Sequence, residues 1–151
     1  MKNAYELARC TAYMFCGPNS APYFIAVDSM SFLQPVEIGS IISFHSKICY
    51  SAGEPDSIFQ IRVETVVHDL VKNSVFPSNI FHFSFQSPKV AVRQIVPSTY
   101  REAIDFLDGR RRRDKLAATY SAFNHHHNNN NISHTSDIPQ DNQSPSSSSS
   151  S

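Results

Sequence analysis

The sequence carries no net charge, because thirteen Lys and Arg residues balance thirteen Asp and Glu residues among 151. A neutral chain has no global field to gather nucleic acid or an acidic surface, so neither is expected as a partner. No apolar run approaches the ~20 residues that a membrane-spanning helix requires, and no membrane span is expected. Met1 leads directly into a helical pattern rather than the apolar core of a signal peptide. Cysteine is scarce too. Cys10, Cys16 and Cys49 are odd in number and form no CxxC pair, which favours a reduced, intracellular setting over a disulfide framework. Cys10 and Cys16 fall about 240° apart around a helix, with no histidine nearby in sequence. Apolar packing is expected of them rather than nucleophilic chemistry.

What the chain does have is apolar periodicity, concentrated in residues 1–109 of a sequence that is 40% hydrophobic. The segment Lys2–Cys16 reads as a helix, with Ala4, Leu7, Ala8, Thr11, Met14 and Phe15 on one stripe. It is stopped by Gly17, Pro18 and Asn19. Residues 23–28 are apolar on both faces until Asp28 and read as a buried strand. Residues 35–39 make a turn. Three stretches then alternate with a period of two: residues 40–50 (Ile42, Phe44, Ile48, Tyr50), 58–68 (Phe59, Ile61, Val63, Thr65, Val67) and 80–86 (Phe81, Phe83, Phe85). One dry face and one wet face is the pattern of an antiparallel sheet covered on one side. Gly53 and Pro55 suit a hairpin between the first two; the connection over residues 70–78 is longer. The first helix has the apolar stripe to cover the dry face, and the expected class is α+β, a central helix packed on a curved antiparallel sheet.

A second helix is marked by Thr99, Tyr100, Arg101 and Glu102, a capping box, with Ala103, Phe106 and Leu107 as its apolar edge. Gly109 is the expected stop, and residues 110–113, all arginine, suit the negative helix end. From Asn124 the chain is a succession of His, Asn and Ser runs that cannot bury enough surface to offset ordering entropy. The expected organisation is one folded domain over residues 1–115 and a disordered low-complexity tail over 116–151.

The phrases AYELA (residues 4–8), AVDSMSFLQPVEIGS (26–40), SKICYS (46–51), NIFHFSF (79–85) and VPSTYREAIDFLDGRRRR (96–113) resemble the second hot-dog domain of acyl-CoA thioesterases of the mitochondrial 9/10 type. The resemblance covers residues 1–113 and leaves the tail unmatched. It implies a long helix wrapped by a sheet, two such domains in tandem, and hydrolysis of acyl-CoA to fatty acid and CoA with no metal or other cofactor. It also implies that a carboxylate and a polar group from opposite domains orient the attacking water, while backbone N–H groups at the helix start hold the oxyanion. In that family a strand and a Gly-Gly turn precede the helix. Here the pattern begins at Met1 without a cap, so a domain lacking its first strand is expected. Mitochondria are the compartment the resemblance implies; without a presequence ahead of the domain, the cytoplasm stays open. Two roles follow: an acyl-CoA hydrolase, or a non-catalytic half that works only by pairing with another hot-dog domain, as a homo-oligomer or a tandem.

Two carboxylates are candidate catalytic residues. Glu6 stands beside Tyr5, which occupies the place where some relatives have Asp, and could orient the water; its plainer role is a solvated partner of Arg9 one turn on. Asp28 could line the acyl-CoA pocket; its plainer role is to accept hydrogen bonds from turn N–H groups near residues 29–31. Lys47, Arg93 and the arginines of residues 110–113 are candidates to neutralise the CoA phosphates. His45, His68 and His82 fall on wet faces of different strands, and His125, His126 and His127 belong to the biased tail; no metal site is expected of either group.

Overall fold

The computed structural model describes residues 1–88 and 92–132, with side chains through residue 119. In chain order the elements are α1 (Lys2–Cys16), β1 (Tyr23–Phe32), β2 (Ile41–Ser51), β3 (Ile58–Asp69), β4 (Ser74–Gln86) and α2 (Tyr100–Ile132). The four strands form one antiparallel sheet in the order β1-β4-β3-β2. Contacts divide the chain into a unit Met1–Lys115 and a unit Leu116–Ser151.

The core is a layer of Phe59, Ile61, Val63, Phe81, Phe83 and Phe85 from the two central strands, all but withdrawn from solvent. These are the residues that two-residue alternation puts on one face. Phe59 stacks on Phe85 and Phe81 on Phe83, with ring centroids 6.0 Å and 6.1 Å apart. α1 covers this layer with Ala4, Ala8 and Ala12, each fully buried. The buried stripe is therefore narrower and smaller in side chain than the periodicity suggests, and Met14 is 83% exposed. Alanines at i, i+4 and i+8 let the helix axis approach closely, while Tyr5, Leu7 and Phe15 pack along its flanks.

Several expectations change. The sheet is covered on both sides, because the early turns of α2 lie against the face opposite α1. There Phe106 contacts Tyr50, with ring centroids 5.0 Å apart, and Asp105 pairs with Arg62 at 3.1 Å. β1 is longer than residues 23–28 and is an edge strand, half-exposed rather than buried on both faces. β4 begins at Ser74, so the β3–β4 connection is a tight turn instead of a long loop. Asp69 closes that turn by accepting backbone N–H bonds from Val71 and Lys72 at 2.9 Å and 3.0 Å, and Asn73 takes φ 48°.

α2 starts as its capping box requires: Glu102 N–H donates to Thr99 Oγ1 at 3.2 Å, and Ser98 and Thr99 N–H donate to Glu102 Oε2 at 2.9 Å and 3.3 Å. Gly109 does not end it. The helix continues as backbone through Ile132, where the composition suggests a disordered tail. No Gly or Pro interrupts residues 110–132, and an established helix adds one hydrogen bond per residue. Residues 133–151 of that tail lie outside the described residues. Gly109 has a different function: a Cβ there would sit 2.4 Å from Tyr50 Cβ. It is the bare point at which the helix meets β2. Gly109→Ala gains up to ~1 kcal/mol of helix propensity but overpacks this contact at a cost of about 1–3 kcal/mol. Net destabilisation is expected, read as a lower midpoint in urea unfolding; an unchanged midpoint would refute the close approach.

Candidate functional site

The face of the sheet turned away from α1 is polar, and much of it is buried. One row crosses all four strands: Lys47 on β2 is registered with Arg62 on β3, Arg62 with His82 on β4, and His82 with Ser29 on β1. The next row pairs Gln60 with Ser84. Alternation explains both, since these residues are out of phase with the phenylalanines. β1 shifts register between Val27 and Ser29, and Asp28 occupies the shift. The earlier shift, between Phe24 and Ala26, sets the phase: Val27 meets Phe83 on the apolar face and Asp28 turns to the polar face, where its Oδ2 accepts a bond from Ser84 Oγ at 2.6 Å, beside the Ser29 Oγ–His82 Nδ1 pair at 2.9 Å.

α2 adds Asp105 to this layer. Arg62 Nη1 donates to both Asp105 oxygens at 3.2 Å and 3.1 Å, and Lys47 Nζ lies 2.6 Å from Oδ2. Arg62 Nη2 also reaches Glu64 at 3.4 Å. Several buried polar atoms are left over: both amide atoms of Gln60, Nε of Arg62 and Nη1 of Arg112 have no hydrogen-bond partner. Burial alone would raise the Asp105 carboxyl, but Lys47 and Arg62 outweigh it and hold it below the usual range. Asp28 moves the other way: burial raises it, against the bond from Ser84 and the charge of Arg112. Burial, then the Arg112 and Arg62 guanidinium groups, push His82 down to about 4.

The two candidate catalytic carboxylates are not brought together. Glu6 is on α1, with its side chain 48% exposed and 3.4 Å from Arg9. Asp28 is on the opposite face of the sheet and lies inside β1, not at a strand end as the turn-capping reading required. Arg93 reaches the backbone carbonyl of Phe15 at 3.4 Å and stands over its ring. Of the arginine run, Arg113 pairs with Asp56 at 2.7 Å and Arg111 with Asp108 at 3.2 Å, so these residues act along the helix rather than at its end. Of the two cysteines expected to pack among apolar groups, Cys16 is half-buried and Cys10 is exposed; it is Cys49 that is buried, with its thiol pushed up to about 12 by that burial. Arg62, Gln60 and Asp105 are the residues that reading the sequence missed. Their signal was the out-of-phase polar row, together with Asp105, Gly109 and Arg112 at helical spacing on α2. Among the described residues, no three His, Cys, Asp or Glu side chains gather as metal ligands would, and no helix is long and apolar enough to cross a membrane.

His82 supplies a pH signature. An unfolded histidine takes up a proton near 6.5, while the folded one resists until about 4. Its contribution to stability is therefore complete above 6.5 and is lost as pH falls from there towards 4. With allowance for residual solvent contact, the loss is on the order of 2 kcal/mol. His82→Gln should flatten that acid slope in urea titrations at pH 7, 5.5 and 4.5; a slope identical to that of the parent chain would contradict it.

Comparison with known proteins bears on this architecture. No family model matches the chain. Over 111 residues, 74% of this chain, it is 41% identical to acyl-coenzyme A thioesterases 9 and 10, mitochondrial, of Mus musculus. Against acyl-coenzyme A thioesterase 9 of Homo sapiens it is 38% identical over 117 residues. The chain spans about a quarter of the length of these relatives (24% and 25%). In structure it resembles an acyl-CoA hydrolase from Staphylococcus aureus, solved with butyryl coenzyme A, coenzyme A and coenzyme A disulfide. The TM-score is 0.67 at 18% identity, over 83% of this chain and 76% of that one. A hexameric acyl-CoA thioesterase gives a TM-score of 0.65 at 16% identity, over 79% and 76% of the two chains. The fold is the α+β hot-dog fold, and the chain belongs to the acyl-CoA thioesterase family of the mitochondrial 9/10 type.

Proposed function

We propose that this chain, similar in sequence to the mitochondrial acyl-CoA thioesterases, takes part in hydrolysing fatty acyl-CoA to a free fatty acid and CoA. The observation that carries the proposal is the joint match: 41% identity to a thioesterase segment, on a fold shared with a hydrolase solved with CoA ligands. In this reaction a water oxygen adds to the thioester carbonyl. The tetrahedral intermediate collapses with cleavage of the C–S bond. The sulfur leaves with the proton the water gives up, and the acyl group leaves as a carboxylic acid. No cofactor is needed for that balance.

Glu6 and Asp28 lie on opposite faces of one sheet, so a single chain cannot apply both to one water. The proposal separates them. Glu6 is solvent-reachable, with only a loose one-turn partner whose pairing is worth little. It is the carboxylate free to orient water in a site completed by another hot-dog domain, from a second copy or a tandem partner. Asp28, half-buried and engaged by Ser84, lines the substrate pocket. A homo-oligomer or tandem pairing, and a mitochondrial setting, go with this reading, supported by the hexameric neighbour and the mitochondrial relatives.

Thiol release from medium- and long-chain acyl-CoA tests the proposal on the full chain, with size-exclusion chromatography reporting pairing. Glu6→Gln should lower kcat by about 100-fold or more, the usual contribution of a positioned general base. Asp28→Asn should act on KM. A folded, paired protein that releases no thiol from any acyl chain would overturn the activity, and full kcat in the Glu6→Gln protein would overturn the assignment.

A further inference from the structure

We propose that one end of the sheet is a docking surface for a second copy of this chain, placed across a two-fold axis. Two turns meet there: residues 37–40, between β1 and β2, and residues 70–73, between β3 and β4. Each has a polar means of turning. Ser40 N–H donates to the Glu37 carbonyl at 3.3 Å around Gly39, at φ 92°. Asp69 and Asn73 shape the other. Neither turn calls for an apolar corner. Yet Ile38 stands wholly in solvent on the first, and Leu70 and Val71 are 64% and 95% exposed on the second. Phe32 and Leu33, where β1 ends, and Val75, where β4 begins, extend the patch, each more than half exposed. These six side chains offer on the order of 500 Å² of apolar surface, near the top of the ~300–600 Å² range for the largest patch on a monomer. With their polar borders they approach the ~800 Å² that each partner gives to a stable interface.

Charge and shape single out a second copy as the occupant. Lys72 Nζ joins the two turns by pairing with Glu37 at 2.9 Å, and both side chains are exposed. Asp69, 3.5 Å from Lys72, is buried and engaged by the N–H groups of its own turn. The patch therefore presents one cation and one anion side by side among apolar groups. A partner of a single sign would meet a like charge. A second copy turned by 180° sets its Glu37 against Lys72 and its Lys72 against Glu37, so both pairs are kept. The exchange costs little, because an exposed pair within one chain is itself worth little. Beside the turns lies a shallow hollow of about 430 Å³, lined by Phe32, Leu33, Pro35, Val36 and Ser78. Ile38 is the protruding side chain of the same patch, and across the axis each copy's Ile38 enters the other's hollow. A contact of this kind closes at two copies and does not propagate. It deepens the pairing proposed above: it rests on the homo-oligomer in that reading and not on hydrolysis.

Light scattering behind size-exclusion chromatography, over a dilution series of the full chain, tests it. The parent should run as a dimer that dissociates on dilution. Lys72→Glu and Glu37→Lys each set like charges against one another across the axis, and each should weaken association about tenfold or more. An equimolar mixture of the two should recover the dimer, because each variant supplies the charge that the other lacks. Ile38→Asp should leave a monomer, with circular dichroism showing it folded. A parent chain that stays monomeric overturns the proposal. So does association unchanged in Lys72→Glu and Ile38→Asp, which puts the contact on another surface, and so do two weakened variants that fail to recover on mixing. If either charge variant does not fold, Val71→Asp decides: a folded monomer supports the surface and a dimer overturns it. Thiol release measured on the same samples keeps the two readings apart. Hydrolysis by a monomeric parent removes the docking surface alone, and a dimer without hydrolysis removes the activity alone.

Discussion

Everything in the folded unit depends on how closely α1 lies on the phenylalanine layer of β3 and β4. Three alanines, Ala4, Ala8 and Ala12, make that contact, and all three are fully buried. Their small side chains place little bulk between helix and sheet, so the aromatic rings supply the buried area and the helix supplies the lid. β1 and β2 then flank a pair of central strands whose dry side is already closed. The other side is free to carry polar groups, and it does.

That second side shows why burial and polarity coexist here. Gln60 and Ser84 are fully buried, and Arg62 nearly so. Ser84 is tolerated because Asp28 accepts its hydroxyl, and Arg62 because α2 brings Asp105 as a counter-charge. Buried charges without partners would cost several kcal/mol apiece. The match is imperfect, as the idle atoms of Gln60, Arg62 and Arg112 show.

Much of the fold was legible in the sequence, because it rests on local signals. Helix periodicity located α1, strict alternation located the faces of β3, β4 and of β2 as far as Ile48, and the capping box located the start of α2; Tyr50, read with the dry set, is turned to the other face by the register shift after Ile48. The candidate site was less so. A wet face in a strand pattern does not reveal whether solvent or a helix will cover it, and here α2 covers it. Gly109 misled for a related reason: glycine at a helix end and glycine at a helix–strand crossing look alike until the partner, Tyr50, is known. Asp28 depended on a register shift within β1, which leaves no compositional trace. Its separation from Glu6 is a matter of sheet topology, which no spacing encodes.

The shifts along β1 have a further effect. The strand breaks register twice against β4, between Phe24 and Ala26 and again between Val27 and Ser29. It forms one border of the sheet and shows Tyr23, Phe24, Met30 and Phe32 to solvent. A straight border of that composition would invite any extended chain to add on, as in fibril growth. One bent twice within ten residues presents its free donors and acceptors in short, misaligned groups. An incoming strand must carry matching bends to register along its length. The backbone of β1 thus acts as a filter against promiscuous self-association while leaving the border open to a strand shaped for it.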